Sequence, residues 1–210
     1  MTNEIVSRTF TLALTGASGM AYAMRLLELL LANGHKVQLV YSQAAQFVAA
    51  QELGLTLPGK VSEAHRQLLA RYPCHPEQLQ VYARDDWMAP MASGSGASDG
   101  MVVCPCTMGT LAAIAHGTSD NLIERAADVM IKEGHKLILV PRETPFSAIH
   151  LENMLKLSRL GVVMLAANPG FYHQPKRVED LVDFLVAKIL DQLDVRHQLV
   201  ERWGSVGVPD

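Results

Sequence analysis

The chain has 210 residues, 49% of them hydrophobic and 19% charged, with a formal net charge of −3. That balance excludes nucleic acid or an anionic membrane as a general partner, so an anion site has to be a local cluster of cations on a mildly acidic protein. The length suits one domain with a sizeable core, expected over residues 1–194 with a C-terminal arm from Val195 onward.

The expected elements alternate. A strand over Phe10 to Leu14 leads into a helix over 20–33, with Met20, Ala23, Met24, Leu27, Leu30 and Leu31 on one face and Asn33-Gly34 as its stop. A second strand, Val37 to Tyr41, precedes helices over Ala44 to Leu53 and 61–72. A short third strand runs from Leu79 to Ala83, and the Ala92 to Ser98 stretch of alternating Ser, Gly and Ala reads as a flexible loop. Met101 to Cys104 is the fourth strand, with helices over 108–116 and 120–133 after it. Lys136 to Val140 is the fifth, followed by a helix over 147–159. Val162 to Ala166 is the sixth, and a last amphipathic helix over 178–193 turns Val178, Leu181, Val182, Leu185, Ile189 and Leu193 inward. Strands of this apolar character alternating with helices imply a Rossmann-like, doubly wound α/β fold: a six-stranded, mainly parallel sheet with helices on both faces.

The three cysteines, Cys74, Cys104 and Cys106, are odd in number, and Cys104-Pro105-Cys106 lacks the spacing of a redox C-x-x-C. They read as buried or semi-buried thiols in a reducing compartment. The N-terminus carries Glu4 and Arg8 without the apolar run of a signal peptide, and no segment reaches the ~18 uninterrupted apolar residues of a membrane span. The expectation is a cytoplasmic protein. The eight histidines show no H-E-x-x-H or similar spacing, so no metal is expected.

Residues that can carry chemistry fall at the carboxyl ends of the expected strands, where open α/β sheets bind ligands. Thr15-Gly16-Ala17-Ser18-Gly19 follows the first strand and opens a helix. Glycine lets the backbone approach a ligand and helix-start amides favour anions, but the spacing is not G-x-G-x-x-G. Ser18 can cap the helix, bond a ligand heteroatom, or both. Ser42 and Thr107 stand after the second and fourth strands, as helix N-caps or as ligand contacts, and Gly109 leaves backbone amides open near Thr107. Arg125 and Lys132 are seven residues apart on one helix, and seven steps of 100° return to within about 20°, so both point the same way. They are either an anion site or solvated charges pairing with Glu124 and Asp128. Arg142-Glu143 follows the fifth strand, either as an exposed pair or as site residues, and Tyr172 lies in a Pro/Gly-bounded loop. Glu52 is by default a surface carboxylate, and Trp87 and Trp203 are core or interface filling. Cations gathered at strand ends suggest a phosphate.

Taken together these residues resemble the flavin prenyltransferases, the UbiX family, over nearly the whole chain. The signatures are T-G-A-S-G at 15–19, D-W-M-A-P at 86–90, S-G-S at 93–95, C-P-C-T at 104–107 and N-L-I-E-R-A-A-D-V at 121–129. They continue with V-P-R-E-T-P-F at 140–146, H-L-E-N-M-L-K-L at 150–157 and P-G-F-Y-H-Q-P at 169–175. The resemblance implies a metal-independent transferase that joins a dimethylallyl group from dimethylallyl phosphate to N5 and C6 of reduced FMN. Its product, prenylated FMN, would serve UbiD-type decarboxylases, as in ubiquinone biosynthesis, and its assembly would be a homododecamer.

It further implies FMN contacts at Gly16, Ala17, Ser18, Ser42, Thr107, Met108, Gly109, Thr110 and Arg125. Lys132, Arg142, Tyr172 and Lys188 would hold the allyl phosphate, with Trp87 and Trp203 as aromatics near the site. Ser18, Glu52 and Glu143 would be catalytic. Two positions depart from the family pattern: Thr107 where Ser is expected, and Lys188 where Arg is expected, which keeps the charge and loses the planar fork. A flavin-dependent peptidyl-cysteine decarboxylase and a non-catalytic FMN carrier are the alternatives. The first wants a catalytic His and a P-A-S-A-N-T-like motif that the chain does not show, and the second has no use for a second phosphate site.

Overall fold

The computed structural model describes residues 6–200. Its six strands are β1 (Thr9–Leu14), β2 (Lys36–Tyr41), β3 (Leu79–Tyr82), β4 (Gly100–Cys106), β5 (Leu137–Pro141) and β6 (Val163–Met164). They form one sheet in the order β3-β2-β1-β4-β5-β6, and every neighbouring pair is parallel. The helices are α1 (Met20–Ala32), α2 (Gln43–Leu53), α3 (Val61–Arg71), α4 (Met108–His116), α5 (Leu122–Lys132), α6 (Ala148–Arg159) and α7 (Val178–Gln192).

Strand alternation divides the core into two layers, because successive side chains point to opposite faces. Phe10, Leu12 and Leu14 of β1, Val102 and Cys104 of β4, and Ile138 and Val140 of β5 pack with buried residues of α1, α2, α3 and α7. Ala13, Met101, Val103, Cys106, Leu137 and Leu139 face the other way, against α4, α5 and α6. With both faces covered, the central strand β4 is buried along its whole length, all seven of its residues being shut from solvent. The strand order changes direction at β1, which is flanked by β2 on one side and β4 on the other. The crevice beyond the carboxyl ends of β1 and β4 is therefore the switch point at which such sheets take a ligand.

Five details differ from expectation. The Ala92 to Ser98 stretch is not a loose loop: it holds two short 3-10 turns, Pro90–Ala92 and Gly94–Gly96, and ends in buried Ser98, whose Oγ donates to the Gly100 carbonyl. Its small residues let it lie close against α5. Strand β6 contracts to two residues, as befits an edge strand paired on one side only. Val178, expected to point inward, is 70% exposed, since the first turn of α7 overhangs the core. Ser18 does not cap α1: the N-cap is Gly19, at φ 114, a left-handed conformation that suits glycine. Val195, the first residue of the expected arm, is buried with Leu190 and Leu193. Among the described residues no helix is long and apolar enough to cross a membrane, and no cluster of metal-ligating side chains occurs.

Candidate active site

The switch-point crevice is built by hydroxyls that stitch the ends of β1 and β4. Thr15 Oγ1 donates to the Pro105 carbonyl at 2.7 Å and accepts the Thr107 amide at 2.8 Å. Thr15 is buried, so these bonds form away from water and fix the two strand ends relative to each other. Thr107 then caps α4: its Oγ1 accepts the Thr110 amide at 3.2 Å and donates to Thr110 Oγ1 at 3.0 Å. Met108 and Gly109 are the first two residues of α4, whose amides have no acceptor inside the helix. A Cβ added at Gly109 would meet nothing within 4 Å, so the backbone there is open to a ligand.

The opposite wall is the Gly16–Ser18 turn. A Cβ on Gly16 would stand 2.4 Å from the Ala44 methyl, so only glycine lets this turn close against the start of α2. Ala17 is buried and Ser18 is exposed. Ser42 is the N-cap of α2, its Oγ accepting the Ala45 amide at 3.1 Å. From the far end of α2, Glu52 reaches back to the start of α1. Its carboxylate accepts the Gly19 amide at 3.0 and 3.2 Å and the Met20 amide at 2.8 Å. A carboxylate on the first turn of a helix is stabilised by the unpaired amides and the positive end of the dipole. The sequence-level default of a free surface carboxylate is thus replaced by a long-range helix cap beside Ser18.

Arg125 is half-buried on α5, with Nε donating to the Ala92 carbonyl at 3.0 Å and Nη1 paired to Asp128 at 2.7 Å. Arg142 follows β5, next to the α4 start, where its amide donates to the Cys106 carbonyl at 3.4 Å. Its Nε is buried and has no hydrogen-bond partner among the described residues. A guanidinium stays charged under all ordinary conditions, so an unpaired buried donor on it calls for an anion. Glu143 beside it is partly buried, and one carboxylate oxygen accepts the Thr144 amide at 3.2 Å.

The other expected phosphate-holding residues do not join Arg142 within one chain. Lys132 ends α5 shortly before β5 begins, at the amino edge of the sheet, and pairs with Glu133. That pairing holds the exposed Glu133 carboxyl below its usual range. Lys188 lies on α7, on the opposite face of the sheet from α5, one turn before Asp191 at 3.6 Å. Tyr172, 54% exposed, stands edge-on to the Phe184 ring at 5.5 Å, and Lys188 Nζ lies 5.8 Å from the same ring centroid. Tyr172 and Lys188 line one groove of about 1200 Å³. Trp87 is 50% exposed on the loop after β3, next to Met88 at 92%. Trp203 lies outside the described residues.

Two residues at the crevice escaped the sequence reading. Thr15 was visible only as part of a glycine turn, although a Thr at the last step of an apolar strand is a signal for strand-end stitching. Tyr22, on α1, lies over Gly19, where a Cβ would sit 2.9 Å from its ring. Burial pushes the Tyr22 phenol up, and the nearby Cys104 and Glu52 push in the same direction. Burial also raises the Cys106 thiol, to about 12, and the Cys104 thiol further still, so neither is a ready nucleophile.

Comparison with known proteins fits this geometry. Residues 2–190 match the family model described as Flavoprotein, so the chain is a flavoprotein-family protein. It is 55% identical to the flavin prenyltransferase UbiX of Pseudomonas aeruginosa, over 93% of each chain. The chain belongs to the flavin prenyltransferase UbiX family. Among solved structures, AnUbiX (PadA1) in complex with FMN and dimethylallyl pyrophosphate superposes with a TM-score of 0.84 at 38% identity, covering 95% of this chain and 99% of that one. A dodecameric FMN-dependent UbiX-like decarboxylase from Escherichia coli O157:H7 gives 0.82 at 39% identity, over 94% and 100%. The FMN-dependent cysteine decarboxylase TvaF, at 18% identity and a TM-score of 0.57, shares the fold alone.

Proposed function

We propose that the chain is a flavin prenyltransferase that joins a dimethylallyl group from dimethylallyl phosphate to reduced FMN, without a metal. The observation that carries this is Arg142: a buried guanidinium Nε without a partner, at the mouth of a crevice whose other wall is the amide-rich start of α4. The relatives named above support the same reading. FMN would lie across the crevice against Gly16, Ala17 and Ser18, with Ser42, Thr107, Met108, Gly109, Thr110 and Arg125 around it. Reduced FMN supplies the two nucleophilic positions, N5 and C6, that the allyl fragment joins.

The residues then divide the work. As the allylic C–O bond breaks, its electron pair leaves with the phosphate, and Arg142 neutralises the charge that develops there. The allyl fragment becomes cation-like, a charge that the face of Trp87 would stabilise. Glu143, next to Arg142, or the departing phosphate would take the proton from C6, while Glu52 and Ser18 would handle the proton of N5 and return one to the central carbon of the allyl double bond as the C6 bond forms, so that the flavin gains C5H8 net. Lys132, Tyr172, Lys188 and Trp203 complete the donor site. Since Lys132 and Lys188 sit on opposite faces of one sheet, they reach a shared phosphate only when copies of the chain meet. A homo-oligomer, dodecameric like the Escherichia coli neighbour, supplies that arrangement. The product would pass to a UbiD-type decarboxylase in the cytoplasm.

Anaerobic incubation with reduced FMN and dimethylallyl phosphate, followed by mass spectrometry of the extracted flavin, tests the proposal. A flavin heavier by one C5H8 unit is the expected result. Unmodified flavin that stays bound would overturn it in favour of an FMN carrier.

A further inference from the structure

The segment between β6 and α7 holds polar groups that the reading above leaves unused. Both ring nitrogens of His173, Nδ1 and Nε2, are shut from solvent and have no hydrogen-bond partner among the described residues. The imidazole is stacked on Phe184, with centroids 4.8 Å apart and planes 9° from parallel. Tyr172 stands edge-on to it at 5.9 Å. The next residue, Gln174, has φ 53, in the left-handed region that residues other than glycine seldom occupy.

A neutral imidazole carries one donor and one acceptor. Burying both unpaired lowers stability, whereas an apolar ring of the same shape would stack on Phe184 without that loss. The polar nitrogens therefore do not serve packing. Backbone strain at the adjacent residue points the same way, since such conformations collect where a segment contacts a ligand. The cluster also has a cationic end: Phe184 carries Lys188 over its ring, and Lys188 and Tyr172 line the same groove.

We propose that His173 is a further binding residue for the phosphate of the allyl donor, an inference that rests on the donor site described above. Its nitrogens are held in reserve, and one N–H donates to a phosphate oxygen once the ligand seats against Tyr172 and Lys188. A small displacement of the segment opens the ring edge, and the bond gained offsets the burial that the free chain tolerates. Ligand binding and the ordering of this segment are then one equilibrium.

Two variants of the FMN-loaded protein test this. His173→Phe keeps the stack and removes both nitrogens; His173→Asn keeps hydrogen bonding and loses the ring. The expected result is a donor KM about tenfold higher in His173→Phe, equivalent to ~1.4 kcal/mol, with FMN affinity unchanged and partial recovery in His173→Asn. A wild-type donor KM in His173→Phe overturns the proposal. So does an equal loss of FMN and donor affinity in both variants, which would mark the ring as packing. If the wild-type protein itself leaves flavin unmodified, the donor-site reading falls separately. Imidazole nitrogen shifts recorded against inorganic phosphate then decide: shifts that move support anion binding at His173, and shifts that stay put overturn it.

Discussion

The carboxyl edge at β1 and β4 and the groove along α7 both belong to the proposed site, yet they are finished to different degrees. At the first, Thr15, Thr107, Ser42 and Glu52 pair every bond they make with a backbone amide, a carbonyl or another hydroxyl of the same chain. At the second, Lys188 and Tyr172 rest on an aromatic ring, His173 keeps two unpaired nitrogens, and Lys132 lies across the sheet. A cradle for a tightly held cofactor can be completed by one chain. A seat for a substrate that must enter, react and leave can hold some hydrogen-bonding capacity in reserve, here the two His173 nitrogens.

Substitutions on either side of this contrast should behave differently. The largest effect is expected at Arg142, whose buried Nε lacks a partner among the described residues: Arg142→Met should slow prenyl transfer by about 10²–10³-fold while FMN stays bound, read by single-turnover mass spectrometry of the flavin. Loss of FMN together with activity would place Arg142 in the cradle instead. Next comes Thr15→Val, nearly isosteric, which leaves the buried Thr107 amide unpaired. It should destabilise the fold by about 1–3 kcal/mol, seen as a Tm lower by roughly 2–4 °C per kcal/mol, with weaker FMN binding. Lys188→Ala should raise the donor KM by about tenfold with little change in Tm, because the ammonium is half-exposed and its contacts with Asp191 and the Phe184 ring are long. Lys188→Arg should lower that KM, through the planar fork.

Glu52→Ala removes a helix cap of about 1 kcal/mol, visible in denaturant melts; a transfer rate that falls far beyond this loss would give Glu52 a chemical duty as well. The smallest effect is at Asp180, where the Lys176 and Arg177 amides hold the carboxyl below its usual range. Its folded pKa is depressed, so its stabilising contribution is present above the unfolded value near 3.9 and fades as pH falls through the folded one. Asp180→Asn should lower Tm slightly at neutral pH, where the contribution is fully present, and flatten the acid limb of a Tm-versus-pH curve, where the wild type loses it.

How far the sequence led differs between the same two regions. Strand ends were readable to within a residue or two, since the apolar runs are bounded by turns and the central ones bury both faces. The cradle followed, because hydroxyls and glycines immediately after strands have few places to point. Long-range partners were not readable. Helical periodicity put Arg125 and Lys132 on one side of α5. It said nothing about the Ala92 carbonyl taking Arg125 or about Glu133 taking Lys132. Glu52 looked like a solvated charge because the amides it caps are more than thirty residues away in sequence. His173 gave no signal at all, since an unpaired nitrogen is a property of what surrounds it.

The Thr15 bond has a consequence for how the molecule comes into being. It joins neighbours in space that are about ninety residues apart along the chain, with β2, α2, α3 and β3 threaded between them. Closing so long a loop is entropically costly and slow relative to local helix formation. On the ribosome, the Gly16–Ser18 turn therefore emerges early and waits without its opposite wall. At the proposed site, flavin would find both walls only once residue 107, near the middle of the chain, has left the exit tunnel, so cofactor loading would follow the first half of synthesis rather than guide it.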